Sequence, residues 1–217
     1  MAASAKDDII VEDSTEEQEE TELNFKVILI GETGVGKTCI MLRASRDEFK
    51  EEHTVTLGAD FTNYYLKINK RQAKLQMWDT CGLEMYKSMI RVFFKGSHAA
   101  FLVFDVNNEK TFSTLPFWLK ELREFTSPDL LCYLIGNKID LPNRAVTKAD
   151  ADTFVSKYQL SGYYETSAKS GIGIKTLIHI MAKELFRKMG HAASSKDSNT
   201  HILGDNQAGQ KSGGCKC

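Results

Sequence analysis

The residues with the clearest chemistry are Gly31-Glu32-Thr33-Gly34-Val35-Gly36-Lys37-Thr38. They match G-x-x-x-x-G-K-[ST] and lie between an apolar run and a segment with helical spacing, the context in which this pattern cradles phosphate. The reason is in the backbone. Glycines let the chain wrap close to an anion with its N–H groups pointing inward, and the N-terminus of the following helix adds partial positive charge. Lys37 would reach the β- and γ-phosphates of a nucleotide, and the Thr38 hydroxyl would sit on Mg²⁺. Cys39, next in the chain, is expected to join the same phosphate-binding set.

Three later motifs extend the chemistry. In Trp78-Asp79-Thr80-Cys81-Gly82, an Asp at a strand end near phosphates can hold Mg²⁺ through water. Gly82 can offer its N–H to a γ-phosphate with no side chain in the way. D-x-x-G is common by itself and becomes informative downstream of a phosphate loop. In Gly136-Asn137-Lys138-Ile139-Asp140, the Asp140 carboxylate can accept both the N1–H and the exocyclic N–H of guanine. Adenine lacks that donor pair and would leave a buried carboxylate unpaired, so it is rejected. Asn137 is predicted at the base edge, and the Lys138 stem over its face. In Glu165-Thr166-Ser167-Ala168-Lys169, the Ala168 N–H could donate to guanine O6.

These motifs need elements to hold them. Phe25–Ile30, Ala99–Phe104 and Leu130–Ile135 are short apolar runs that read as buried strands. Phe61–Ile68 and Ala73–Trp78 alternate apolar and polar residues around Asn69-Lys70-Arg71, which predicts a hairpin. Helical spacing covers Lys37–Arg46, Leu115–Phe125 with Pro116 in its first turn, a helix capped by Thr147 and running to Tyr158, and Ile174–Met189. Tyr163-Tyr164 is a short strand. Strands alternating with helices predict a single α/β domain, a mostly parallel central sheet flanked by helices. Ligands in such folds bind beyond the carboxyl ends of the strands.

Composition sets the outer limits. With 28 basic and 29 acidic residues the net charge is −1, which excludes a nucleic-acid binder relying on bulk positive charge. The cysteines are scattered apart from Cys215 and Cys217, and the histidines form no ligand-spaced cluster with them. Neither a disulfide framework nor a structural zinc site is expected. No apolar run reaches the length of a membrane-spanning helix, and the N-terminus lacks an apolar signal core. From Asp7 to Glu22 there are nine acidic residues and no basic one, so residues 1–22 read as a disordered acidic arm. Residues 23–189 form the domain. Residues 190–217 are poor in apolar side chains and read as a flexible tail.

The four motifs in this order resemble the small GTPases of the Ras superfamily, whose G domain is a P-loop NTPase fold, and the resemblance covers about 23–189. Thr56-Leu-Gly-Ala-Asp-Phe61, Lys74-Leu-Gln-Met-Trp-Asp-Thr80 and Phe93-Phe94-Lys95-Gly96 are similar to stretches of the Rab branch. The resemblance implies that Thr56 binds Mg²⁺ through its hydroxyl and senses the γ-phosphate, and that Phe49 stacks on the guanine. It implies that Asn137, Lys138, Asp140, Ser167, Ala168 and Lys169 surround the base. Phe61, Trp78 and Phe93 fall at the effector-binding aromatic triad, with Phe where Tyr is usual. The terminus Gly214-Cys215-Lys216-Cys217 resembles the Cys-x-Cys end on which two geranylgeranyl groups are placed. Two chains are what stable membrane residence needs.

The implied function is a monomeric switch of vesicle trafficking that binds GTP or GDP with Mg²⁺. It would work on the cytoplasmic face of intracellular membranes, with a cytosolic pool. Its partners would be effectors, an exchange factor, an activating protein, a prenylation escort and a GDP-dissociation inhibitor. Catalysis would fall to Lys37, Gly82 and the residue after Gly82. One departure bears on the activity: the family carries Gln there to orient the attacking water, and this chain has Leu83. Leucine neither donates nor accepts a hydrogen bond, so hydrolysis is expected to be slow. The alternative is a GTP-locked scaffold that binds effectors and scarcely hydrolyses. An ATP-using P-loop kinase is the more distant rival, disfavoured by Asp140.

Overall fold

Three strands made almost wholly of apolar residues form the centre of the sheet: β2 (Leu23–Ile30), β5 (Ala99–Asp105) and β6 (Leu131–Asn137). They run parallel, with Val27 level with Ala99 and Ala99 level with Leu131. Strands covered on both faces have no polar side to alternate with, hence the continuous hydrophobic runs. The structure, a computed structural model, describes residues 9–14, 22–51, 56, 58–82 and 87–196, of which 87–90 and 190–196 by backbone alone.

The hairpin β3 (Ala59–Ile68) and β4 (Arg71–Thr80) turns on Asn69 and Lys70, whose φ angles of 50° and 69° suit a tight two-residue turn between twisted strands. β4 then pairs in parallel with β2. A seven-stranded sheet results, in the order β1-β3-β4-β2-β5-β6-β7, with β1 (Val11–Asp13) and β7 (Gly162–Glu165) at its edges. It is mostly parallel, as expected; only β3 runs against its neighbours.

Helices close both faces. On one, α1 (Lys37–Arg46) inserts Ile40, Met41 and Ala44, and α6 (Ile174–Lys196) inserts Leu177, Ile178 and Met181. On the other, α4 (Leu115–Phe125) supplies Leu115, Trp118, Leu119 and Leu122, and α5 (Lys148–Tyr158) supplies Ala151 and Phe154. The start of α5 is fixed by a reciprocal capping box between Thr147 and Asp150. Helices α2 (Lys87–Phe94) and α3 (Glu109–Ser113) complete the set. Among the described residues no helix is long and apolar enough to cross a membrane.

Two expectations about the ends need correction. Residues 9–14, expected in an unstructured arm, are docked. Ile9 is buried, Ile10 exchanges hydrogen bonds with Asn69, and Val11–Asp13 pair with Leu66–Ile68. Asp13 accepts hydrogen bonds from Tyr64 and Lys175 and is bonded to His179 at 2.8 Å. Burial alone would raise its carboxyl, but these partners outweigh it and hold the pKa at about 2. The open edge of β3 offers unpaired backbone groups, and four apolar or bonding residues within an acidic run suffice to take them. At the other end α6 continues past Met189 to Lys196. Residues 1–8, 15–21 and 197–217, with Cys215 and Cys217, lie outside the described residues.

Candidate functional site

A cleft of about 390 Å³ opens at the carboxyl ends of the central strands, between the loop before α1 and the loops after β6 and β7. It is lined by Thr33, Gly34, Gly36, Lys37, Thr38, Cys39, Phe49, Thr56, Gly82, Asn137, Lys138, Asp140, Ala168 and Lys169 among others, which brings most of the sequence-predicted residues to one place. Ligand positions at strand carboxyl ends are the rule for this layer architecture.

At one end the chain leaves β2 and wraps back on itself. Gly36 opens α1 at φ 95°, and a Cβ there would lie 2.4 Å from Asn137 Nδ2, so no other residue fits. No side chain caps this helix, so its first N–H groups stay available to a ligand. Lys37 is 6% exposed and donates to the carbonyls of Gly31 (3.0 Å) and Glu32 (2.8 Å). Burial pulls its ammonium down to about 8, against the upward pull of Asp79 and Glu32. Glu32 in turn accepts a hydrogen bond at 3.1 Å from the indole of Trp118 on α4. Gly82 presses on the same loop: a Cβ would stand 2.4 Å from Thr33 N.

Thr38, Thr56 and Asp79 converge beside this loop. Thr38 Oγ1 donates to Asp79 Oδ2 at 2.6 Å, Thr56 Oγ1 donates to the same oxygen at 3.1 Å, and the two hydroxyls are 3.1 Å apart. Asp79 is 1% exposed, and its Oδ1 has no hydrogen-bond partner among the described residues. Burial raises its pKa; the hydroxyls and the Lys37 charge oppose that rise. A buried carboxylate oxygen left unpaired beside two hydroxyl oxygens is a donor set that fits a hard, oxygen-seeking cation such as Mg²⁺.

The far end of the cleft is made of side-chain ties. Ser167 Oγ donates to Asp140 Oδ1 at 2.6 Å, and Asp140 lines the cleft. Lys138 sits at φ 66° and pairs with Asp105 at 2.9 Å, and Asn107 donates to its carbonyl. Phe49 packs partly against the core while facing the cleft. Lys169 meets Glu51 at 3.0 Å.

Asn137 lines the cleft and is also tied to the protein through its amide. The motif predicts it at the base edge; the structure buries it to 1% and commits its amide to the protein. Nδ2 donates to Val35 O at 2.9 Å, while Oδ1 accepts from Thr166 Oγ1 and from Ala168 N, both at 3.2 Å. It therefore knots the phosphate loop to the loop after β7. The Ala168 N–H, expected to face the base, is the donor in that knot.

Two residues escape motif reading. Trp118 reaches the phosphate loop from a different helix. Arg43 on α1 donates from Nε to Ala168 O and from Nη2 to Lys169 O, each at 2.8 Å. Its one signal in the sequence is a cation three residues after the buried Ile40, at the border of the apolar stripe, where a guanidinium can still reach backbone carbonyls.

Away from the cleft, Phe61, Trp78 and Phe93 stand in a row. Phe61 stacks on Trp78 at 5.0 Å and Trp78 lies 5.4 Å from Phe93, with the Lys26 ammonium 4.7 Å over the indole. Phe61 is 46% exposed and the neighbouring Val92 74%. Leu83 and the segment to Tyr86 lie outside the described residues.

A model of the Ras family matches residues 26–187. The chain is 37% identical over 183 residues to the Ras-related protein RABA2a of Arabidopsis thaliana, covering 84% of each chain. It is 36% identical over 177 residues to the putative ras-related protein Rab-5B of Dictyostelium discoideum, covering 82% of each. It is 38% identical over 165 residues to the Ras-related protein Rab-19 of Rattus norvegicus, covering 76% of each.

Proposed function

The chain belongs to the Ras superfamily of small GTPases, related to its Rab subfamily, and on that premise we propose that it is a guanine-nucleotide switch of membrane traffic whose GTP hydrolysis is slow. The observation that carries this reading is the unpaired, buried Oδ1 of Asp79 beside the Thr38 and Thr56 hydroxyls, at the phosphate end of a cleft whose other end holds Asp140.

In this reading the loop Gly31–Gly36 and the start of α1 take the phosphates, and Lys37 exchanges the Gly31 and Glu32 carbonyls for phosphate oxygens. Thr38, Thr56 and Asp79 would hold Mg²⁺, which when bound offsets the phosphate charge. Asp140 reads guanine, and Phe49 and the Lys138 stem flank the ring. Asn137 acts by holding Val35, Thr166 and Ala168 in register. The γ-phosphate is sensed at Thr56 and at the Gly82 N–H, which distinguishes the GTP state from the GDP state. The GTP state offers Phe61, Trp78 and Phe93 to effectors; Phe93 brings no hydroxyl, so that contact is wholly apolar.

The switch domain spans 23–189, with residues 9–14 as an added strap. Cys215 and Cys217 would take two lipid chains, which puts an escort and a GDP-dissociation inhibitor among the partners and the cytoplasmic face of an internal membrane as the place of action.

Leu83 supports the slow rate and gives the scaffold reading its own footing: the family carries Gln at this sequence position to orient water, and leucine has no polar atom with which to do so. Single-turnover GTP hydrolysis tests the choice. Leu83→Gln should speed the step by roughly 10- to 100-fold, about 1.4–2.7 kcal/mol of barrier, with GTP affinity almost unmoved. A slow but measurable rate in the unaltered chain, raised by an activating protein, supports the switch. No turnover in either condition supports the scaffold.

A further inference from the structure

The Arg43 side chain is 16% exposed, and its guanidinium makes four hydrogen bonds to three residues. Nε and Nη2 reach the carbonyls of Ala168 and Lys169 at 2.8 Å, and Nη1 reaches Asp47 O at 2.8 Å and Asp47 Oδ1 at 3.0 Å. Its stem lies 3.7 Å from the position a Cβ would take on Gly171, which turns the same loop at φ 81°. A planar fork that satisfies two successive carbonyls fixes their orientation as well as their position, which an ammonium on a flexible stem cannot do.

What those carbonyls belong to matters. Residues 167–170 fold into a tight turn, with Gly171 N donating to Ser167 O at 2.8 Å and Ser170 N to Ser167 Oγ at 3.0 Å. The same Ser167 hydroxyl donates to Asp140. Arg43 thus lies two steps from the carboxylate assigned to the base. It stands on α1, whose first turn carries Lys37 and Thr38, about 9 Å away along a rigid helix. Through Asp47, at φ 54° the end of that helix, it also fixes the point where the chain departs toward Phe49 and Thr56.

We infer that Arg43 is a positioning residue for the nucleotide: by clamping the Ala168 and Lys169 carbonyls to α1, it sets the Ser167–Asp140 pair and thereby guanine retention and selectivity. This inference rests on the assignment of Asp140 to the base. Loss of the clamp frees a loop from the helix that carries the phosphate end, so the base end loosens while the metal end stays intact.

The test uses the full chain, with guanosine diphosphate and inosine diphosphate as probes; inosine lacks the exocyclic amine that Asp140 would read. Arg43→Gln should speed guanosine diphosphate dissociation on the order of tenfold, by the same factor with Mg²⁺ and with excess chelator. It should also shrink the preference for guanosine over inosine diphosphate. Arg43→Lys should recover part of both, since it keeps the charge without the fork. A lowered melting temperature with unchanged dissociation rate and unchanged preference in either variant overturns the inference, and leaves Arg43 a packing residue. Asp140→Asn, measured alongside, separates the two levels. If it leaves the preference intact, the base assignment itself fails; if it removes the preference while both Arg43 variants retain it, the base assignment stands and the clamp falls.

Discussion

The two ends of the cleft are held by different means. At the phosphate end the parts are neighbours in sequence, and the groups available to a ligand are backbone N–H groups, one lysine and two hydroxyls. Their geometry follows from a helix start that only glycine can make at position 36. At the base end the parts come from β6, from the loop after β7 and from α1. Each is fixed by side chains crossing between elements: Asn137 to Val35, Ser167 to Asp140, Arg43 to Ala168 and Lys169. A backbone cradle tolerates side-chain change outside its glycines, whereas a side-chain relay fails at whichever link is cut. Perturbations should therefore separate by their dependence on Mg²⁺.

The largest effect is expected at the base end. Asp140→Asn turns one carboxylate oxygen into a donor facing guanine N–H groups and should cost about 2–4 kcal/mol of GDP affinity. The loss should be equal with and without Mg²⁺ in a direct titration. Unchanged affinity would remove Lys138 and Asp140 from the base. At the phosphate end, Thr38→Asn replaces a small hydroxyl that touches Asp79 Oδ2 with a larger amide. Its cost should be about 1–2 kcal/mol and should vanish in excess chelator. Persistence in chelator would mean that Thr38 does not serve the metal.

The same contrast explains what could be read before the structure. The phosphate loop, α1 from Lys37 to Arg46 and α4 from Leu115 to Phe125 are local, with their signals inside one stretch of chain. Asp79 carries its own motif signal, and the structure brings it within hydrogen-bond distance of Thr38 and Thr56. Asn137 is legible as a motif residue, but its ties to Val35, Thr166 and Ala168 are not, since a motif names residues and not which way an amide turns. Arg43 and Trp118 carry no motif; their partners lie 125 and 86 residues away. The strap Ile9–Ser14 was hidden by nine acidic neighbours, because composition averages over a window while docking needed only Ile9, the backbone of β1 and Asp13.

The strap lies outside this contrast and sharpens it as a control. Removing residues 1–14 exposes the edge of β3 and the surface under Ile9. Set against the entropy of ordering 9–14, the net loss should be about 1 kcal/mol, or roughly 2–4 °C in Tm, with GDP affinity unchanged. Asp13 adds a pH signature. Its pKa is about 2 against an ordinary 3.8, so its contribution is full above about pH 4 and lost as the pH falls toward 2. The stability difference between the full and shortened chains should shrink across that window. A shift in GDP affinity on deletion would couple the strap to the cleft.

The smallest effect is a proton. Lys37 in the nucleotide-free cleft titrates near 8 because it is buried, and phosphate beside it would raise that value. In chelator, proton uptake on GDP binding should be higher at pH 8.5 than at pH 6.5 by most of one proton. Calorimetry in buffers of different ionisation enthalpy reads this directly. Equal uptake at both pH values would place the phosphates away from Lys37.

The central claim is that this cleft is a guanine-nucleotide site completed by Mg²⁺ at Thr38, Thr56 and Asp79. Competition on the full chain preloaded with a fluorescent GDP analogue tests it most directly. GDP should displace the analogue at stoichiometric levels, ADP should fail even in large excess, and chelating Mg²⁺ should speed release of the analogue. Equal displacement by ADP and GDP, or release indifferent to the chelator, would contradict the account.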